Sequence, residues 1–276
     1  MVEKHPFFET IVNSLRFTIR HHGYCTLDPS WQGEVAKTKC NILFFVRDGR
    51  GYYRFNDHEL SLEPGHIYFI PLNSAVSYRT DKYLEKFFIH FNLELFSLVD
   101  LFEVCPPCEY CRSIEDNDIF NRLEPFRQRD ISGIVGFSGY LLSLVGSFIG
   151  SPSADIEDLI RTLDKYRDLT AFIDRNLGND LTLGKLSPVM SMSPQHLSLS
   201  FKRDTGKNLK EFINAKLIER AKREIAFTDM RVKEVASRLR FRDEFYFSRY
   251  FKSKTGYSPL KYRDFLRNSS EKAALL

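Results

Sequence analysis

Between residues 24 and 95 the apolar positions fall in short runs rich in β-branched and aromatic residues: NILFFV, GYYRF, HELSL, HIYFIP and KFFIHF. The stretches RDGRG, FNDHE, EPGH and PLNSA punctuate them with turn formers. A strand and turn about every ten residues predicts a small all-β barrel or sandwich. From 117 the pattern changes to a helical period. In DIEDLIRTLDKYRDLTAFIDRNL, residues Ile156, Leu159, Ile160, Leu163, Tyr166 and Leu169 share one face. Gly178-Asn179-Asp180 ends that helix and marks the best domain boundary. The chain therefore reads as α+β, with a β domain over 1–115, a helical linking and dimerising segment over 116–176, and an all-helical domain over 177–276.

The last domain contains a repeat. Phe201-Lys202, Thr205-Gly206 and Phe212 recur fifty residues on as Phe251-Lys252, Thr255-Gly256 and Tyr262, and Leu197-Ser198 recurs as Phe247-Ser248. Upstream the offset is 49, matching Leu183, Leu186, Ser187 and Met192 to Val232, Val235, Ala236 and Phe241. One copy therefore has an extra residue in its turn. In the second copy, Val232, Val235, Ala236 and Leu239 form one helix face, and a short turn follows. Asp243 is a suitable N-cap for the next helix, and Gly256 a suitable left-handed C-cap. Tyr246, Phe247, Tyr250 and Phe251 are expected inside.

Helix, tight turn, helix is the helix-turn-helix arrangement. The outward positions are Gln195, His196, Ser198, Leu199, Lys202 and Arg203 in the first copy, and Arg242, Glu244, Phe245, Ser248, Arg249 and Lys252 in the second. Arg242 and Arg249 can donate to guanine, Gln195 can pair with adenine, and Lys202 and Lys252 suit phosphates. Between the copies, LKEFINAKLIERAKREIAF has apolar residues at 209, 213, 217, 221 and 225. A continuous helix there is about 28 Å long and could hold two reading heads near the ~34 Å spacing of successive major grooves.

Charge supports a polyanionic partner for this half only. Residues 1–159 carry 15 Lys and Arg against 22 Asp and Glu, a net −7, whereas 160–276 carry 25 against 14, a net +11. The first residues, MVEKHPFFETIVNSLRF, lack a basic-then-apolar export signal. Five cysteines, three of them in CPPCEYC, form a poor disulfide framework and fit a reducing cytoplasm. Cys105, Cys108 and Cys111 could hold zinc with Cys25, Cys40 or a histidine, act as a redox switch, or be ordinary thiols in a proline-stiffened loop. Residues 131–154 carry no charge over roughly the length of a membrane span. Their eleven Gly or Ser and one Pro favour a buried helix at a subunit interface over a membrane anchor.

The stretch VASRLRFRDEFYFSRYFKSKTGYSPLKYR (235–263) resembles the signature of the AraC/XylS family of bacterial transcription regulators. It matches at Ala236, Phe241, Asp243, Tyr246, Phe247, Ser248, Arg249, Phe251, Lys252, Gly256, Ser258, Pro259, Tyr262 and Arg263. LSLEPGHIYFIPLNSAVSYR and KFFIHF are similar, more loosely, to the sensor domain of the sugar-responsive branch. The resemblance implies a cupin-like jelly roll that binds a small effector, probing promoter DNA as a homodimer and acting with RNA polymerase. Where the family prefers glycine in the turns this chain has Ser191 and Arg240. If those positions need positive φ, each costs of order 1 kcal/mol. Pro188 is expected to kink the first helix of the first module, and Leu199 stands where the family often has arginine.

Catalysis finds no support in the sequence. Jelly-roll enzymes hold metal with a His-x-His pair, a glutamate and a later histidine. Here EVAKTKC has no histidine, and Val76 falls at the later position. No cofactor is implied. Trp31, Tyr78, Lys86, Phe88 and His90 are candidates to line an effector pocket, since an aromatic wall with a few polar groups suits a sugar. Lys86, Phe88 and His90 alternate and share a strand face, but sequence does not choose whether that face points inward.

Overall fold

The computed structural model describes residues 6–55, 58–113, 130–153 and 155–268. Contacts divide the chain into a β-rich unit and a helical unit that is mainly the stretch from Glu157 onward and also takes in Phe96–Leu98. The stretch 116–129 of the expected linking segment lies outside the described residues.

The β-rich unit starts with α1 (Pro6–Ser14) and continues through β1 (Leu15–Leu27), β2 (Gln32–Val35), β3 (Asn41–Gly49), β4 (Gly51–Phe55) and β5 (His58–Leu62). Then come β6 (His66–Ile70), β7 (Val76–Arg79), β8 (Leu84–Leu95), β9 (Val99–Asp100), α2 (Leu101–Val104), β10 (Cys111–Ser113) and α3 (Ile131–Ser147). One antiparallel sheet has the order β1-β8-β3-β6-β10, with β9 paired to β8; a second has the order β2-β7-β4-β5. The five expected strands are present. Five were not expected: β1, which begins well before residue 24, and the short β2, β7, β9 and β10. β1 alternates weakly because it is broken by a bulge between Ile19 and His21, and β2 and β7 have too few residues to establish a period.

Two cores follow from the period of two. On one face of the larger sheet Ile42, Phe44, Val46, Tyr68 and Phe88 meet Tyr53, Phe55, Leu62 and Val76 of the smaller sheet. On the other face Phe45, Phe69, Phe87, Ile89 and Phe91 meet Phe137, Leu141 and Val145 of α3. The uncharged segment thus covers its own sheet with one side. Ile131 and Val135, on the other side, are exposed. Among the described residues no helix is long and apolar enough to cross a membrane.

The helical unit comprises α4 (Ile156–Asp164), α5 (Arg167–Asn176), α6 (Leu183–Leu186), a 3₁₀ turn (Ser187–Met190), α7 (Pro194–Thr205), α8 (Leu209–Phe227), α9 (Val232–Arg238), α10 (Glu244–Thr255) and α11 (Pro259–Asn268). The single helix expected to end at Gly178 is two, broken at Lys165-Tyr166. The break turns both side chains onto Asp204 of α7, with Tyr166 Oη at 2.7 Å and Lys165 Nζ at 2.7 Å. Burial raises the Asp204 carboxyl, but hydrogen bonds from Lys165, Arg203 and Tyr166 outweigh it and hold the group well below the usual carboxylate range. These links tie α4 and α5 to the first module. Pro188 ends α6 as a 3₁₀ turn rather than kinking a longer helix.

Candidate functional site

The two helix-turn-helix modules are α6 to α7 and α9 to α10. Ser193 Oγ accepts from the His196 amide (3.2 Å) and Asp243 Oδ1 from the Tyr246 amide (2.7 Å), so each second helix has its expected N-cap. Each ends at a glycine with positive φ, +71° at Gly206 and +81° at Gly256. Both turns also contain a non-glycine residue at positive φ, Ser191 at +51° and Arg240 at +57°. The left-handed corner therefore exists where the family has glycine. After that corner the first module takes one residue, Met192, to reach its N-cap, and the second takes two, Phe241 and Arg242; this is the one-residue change in offset.

Leu197 and Phe201 in α7, and Phe247 and Phe251 in α10, are fully buried. Gln195, His196, Leu199, Lys202 and Arg203 are exposed and Ser198 is half-buried. In the second module Arg242, Phe245, Arg249 and Lys252 are exposed, with Glu244 and Ser248 half-buried. Tyr246 differs from expectation: it is 39% exposed, at the rim of the core with its ring tilted against Phe241 at 5.8 Å between centroids. Arg203 pairs with Asp204 (2.8 Å) and Arg242 with Asp243 (3.0 Å). Arg249, Lys202 and Lys252 make no ion pair among the described residues. The spacer α8 runs unbroken for 19 residues, burying Leu209, Ile213, Leu217, Ala221 and Ile225.

Two other arginines are structural. Arg263 donates to the carbonyls of Ile225 (2.8 Å) and Met230 (2.6 Å), closing the C-terminal end of α8. Arg240 donates to the Asn176 carbonyl at the end of α5 and pairs with Asp180 at 3.0 Å. Its guanidinium lies over Gly178, where an added Cβ would stand 2.4 Å from Arg240 Nε. Arg240→Ala keeps the backbone strain and loses these bonds, whereas Arg240→Gly loses the bonds but relieves the strain. Thermal melts should therefore show the alanine variant less stable than the glycine variant by about 1 kcal/mol.

In the β-rich unit the inward face is now visible. Lys86, Phe88 and His90 point between the sheets, and all are buried. Register places Cys25, Gly23 and His21 of β1 opposite them. Gly23 is required there, because a Cβ would come within 2.9 Å of the Phe88 ring. Trp31 and Tyr78 face the same space, their rings 4.7 Å apart. The five residues proposed from sequence thus lie on one interior. Sequence reasoning missed Tyr53, Phe44 and His21. Tyr53 and Phe44 alternate correctly within GYYRF and NILFFV, so the period could have found them. His21 lies on the strand that was not expected.

Lys86 Nζ sits 4.3 Å from the Trp31 ring centroid, 4.8 Å from Phe44 and 5.2 Å from Tyr53, and lies 3.4 Å from Tyr53 Oη. No carboxylate pairs with it among the described residues. Burial lowers its pKa from the ordinary 10.5 to about 8. His90 is lowered to about 3 by burial, with His21 and Lys86 adding to the effect, and is neutral at pH 7. The cysteines do not converge: Cys105 is buried, Cys108 Sγ lies against the Phe148 carbonyl at 3.5 Å, and Cys111 lies by Tyr68. Among the described residues no three metal-binding side chains come together. Burial raises the thiols of Cys105 and Cys111, the opposite of an activated thiolate.

Comparison with known proteins agrees with both halves. Residues 186–264 match a helix-turn-helix domain model and residues 42–115 an AraC-like ligand binding domain. The Msm operon regulatory protein of Streptococcus mutans is 20% identical over 267 residues, covering 94% of this chain and 96% of that protein. The HTH-type transcriptional activator Btr of Bacillus subtilis is 28% identical over 221 residues, 75% of this chain but only 41% of Btr. Among solved structures, unsaturated fatty acid-bound ToxT from Vibrio cholerae superposes with a TM-score of 0.53 at 15% identity, covering 93% of this chain and 98% of that one. This last likeness is one of fold. With two matched modules, a spacer helix and a β-sandwich sensor in one chain, the protein belongs to the AraC family of DNA-binding transcription regulators and carries that family's ligand-binding domain.

Proposed function

We propose that the chain controls transcription from promoters by placing α7 and α10 in successive major grooves, under the control of a small effector bound between its sheets. The observation that carries this is the pair of equivalent helices with exposed polar and basic faces, joined by one unbroken 19-residue spacer. In this reading Arg249 and Arg242 address guanine, Gln195 adenine, and Lys202, Arg203 and Lys252 phosphates. His196, Ser198, Glu244 and Ser248 complete the polar contacts. Leu199 and Phe245, at 70% and 71% exposure, meet thymine methyl groups, the apolar feature of the major groove. The protein acts in the cytoplasm as a homodimer that engages RNA polymerase. The outer side of α3, with Ile131 and Val135 exposed, is the surface offered to the second copy.

Duplexes selected from a random pool test the reading. Arg249→Ala should weaken binding to the selected site by about 1–3 kcal/mol and relax preference at one base pair. Equal affinity and equal preference for both proteins would remove Arg249 from the recognition set. For the effector, the aromatic wall of Trp31, Tyr53 and Tyr78, edged by polar groups, favours a hydroxylated molecule of the sugar class. Thermal shift against a sugar panel checks this, since a ligand of the folded state raises the melting temperature.

A further inference from the structure

The interior between the sheets has one polar feature that a neutral sugar does not explain. Lys86 is only 3% exposed, and its neighbours are rings and a phenol, not an anion. A buried ammonium without a counter-charge is strongly disfavoured. Cation–π contacts and one long hydrogen bond recover only part of that cost. A second polar atom on the same wall also lacks a partner. His21 Nε2 is buried with no hydrogen bond, and its ring lies 6.1 Å from His90 and 5.4 Å from Phe88. Lys86 and His90 share the inner face of β8, and His21 of β1 stands opposite His90 in register.

We propose that the effector carries an anionic group, a carboxylate or a phosphate, that Lys86 binds, with His21 and His90 taking its neighbouring polar atoms. This rests on the effector reading above and narrows it to an acidic member of the class. In the unliganded protein the ammonium is held by Trp31, Phe44 and Tyr53. An entering anion draws it off the indole and supplies the missing counter-charge. Cys25, opposite Lys86 in register, is a further ionisable neighbour beside the Tyr53 phenol, and it is buried.

Trp31 is the only tryptophan in the chain, so its emission reports directly on Lys86. The full-length protein is titrated with acetate, glucuronate, glucose 6-phosphate and glucose, with emission and melting temperature followed together. At least one anion should give a saturable change in emission and raise the melting temperature by several degrees, while glucose leaves both unchanged. Comparing the two sugar anions shows whether carboxylate or phosphate is preferred. Lys86→Met should abolish the response, and Lys86→Gln serves if the methionine variant misfolds. Specific DNA binding, measured on the same samples, keeps the regulator reading separate. A saturable response to glucose, equal in wild type and variant, would retire the anion and leave an effector site in place. Silence toward all three anions, or an undiminished response in both Lys86 variants, would overturn the proposal.

Discussion

Lys86→Met is expected to stabilise the unliganded β-rich unit by about 3 kcal/mol at pH 7. The drop from 10.5 to about 8, at roughly 1.4 kcal/mol per tenfold change in proton affinity, sets that size. Methionine replaces the ammonium with a chain of similar length among Trp31, Phe44 and Tyr53, and volume-conserving changes are well tolerated. In a domain of this size the gain corresponds to a rise of roughly 6–12 °C in melting temperature. The pH dependence identifies the cause. Below about pH 8 lysine is charged in both folded and unfolded chains, so the full penalty is present. Between about 8 and 10.5 the unfolded chain binds the proton and the folded one does not, so wild-type stability rises with pH. The advantage of methionine should fade over that window. Melts at pH 7 and pH 10 that show the same difference between the proteins would mean Lys86 is not buried as described. A residue that costs stability at the centre of a ligand-binding domain is the pattern expected of a functional site.

Asp100→Ala should be the most damaging single change in the β-rich unit, at about 3–5 kcal/mol. The Asp100 carboxylate caps α2 through the Phe102 amide (3.1 Å). It also accepts from the Leu93 amide (3.1 Å), from Asn92 Nδ2 (3.2 Å) and from Asn41 Nδ2 at 3.0 Å to each oxygen. Asn41 Oδ1 in turn accepts from the Leu72 amide at 2.9 Å. One buried side chain thus joins β3, β8 and the loop after β6. Alanine leaves several buried donors without partners, whereas asparagine keeps one acceptor oxygen and should lose less. Urea denaturation of both variants measures this, and a cost under about 1 kcal/mol for alanine would show that water replaces the carboxylate without penalty.

The DNA-binding unit was largely legible because its signals are local. Ser193 and Asp243 cap helices through amides three residues away, and Gly206 and Gly256 end them through bonds to the preceding turn. Ser191 and Arg240 occupy left-handed corners that a few neighbouring residues impose. The face of α10 was misjudged only at Tyr246, at the edge of the stripe, where helical spacing alone does not separate core from rim. In the β-rich unit the runs revealed strands, but β1, β2, β7, β9 and β10 did not stand out, because bulges and short lengths weaken the alternation.

By itself the sequence determined the two modules, their caps and corners, the spacer between them and the strand period of the sensor. Each of these depends on residues within a turn or two of one another. Tertiary structure alone decided which face of β8 points inward, and with it that Lys86 is buried without a carboxylate beside it. It also decided that Arg240 reaches back 64 residues to Asn176, and that Arg263 closes the end of α8 rather than facing outward. Those outcomes depend on which distant side chain fills the adjoining space. A period of two or of 3.6 residues says which positions share a face, but not what that face will meet.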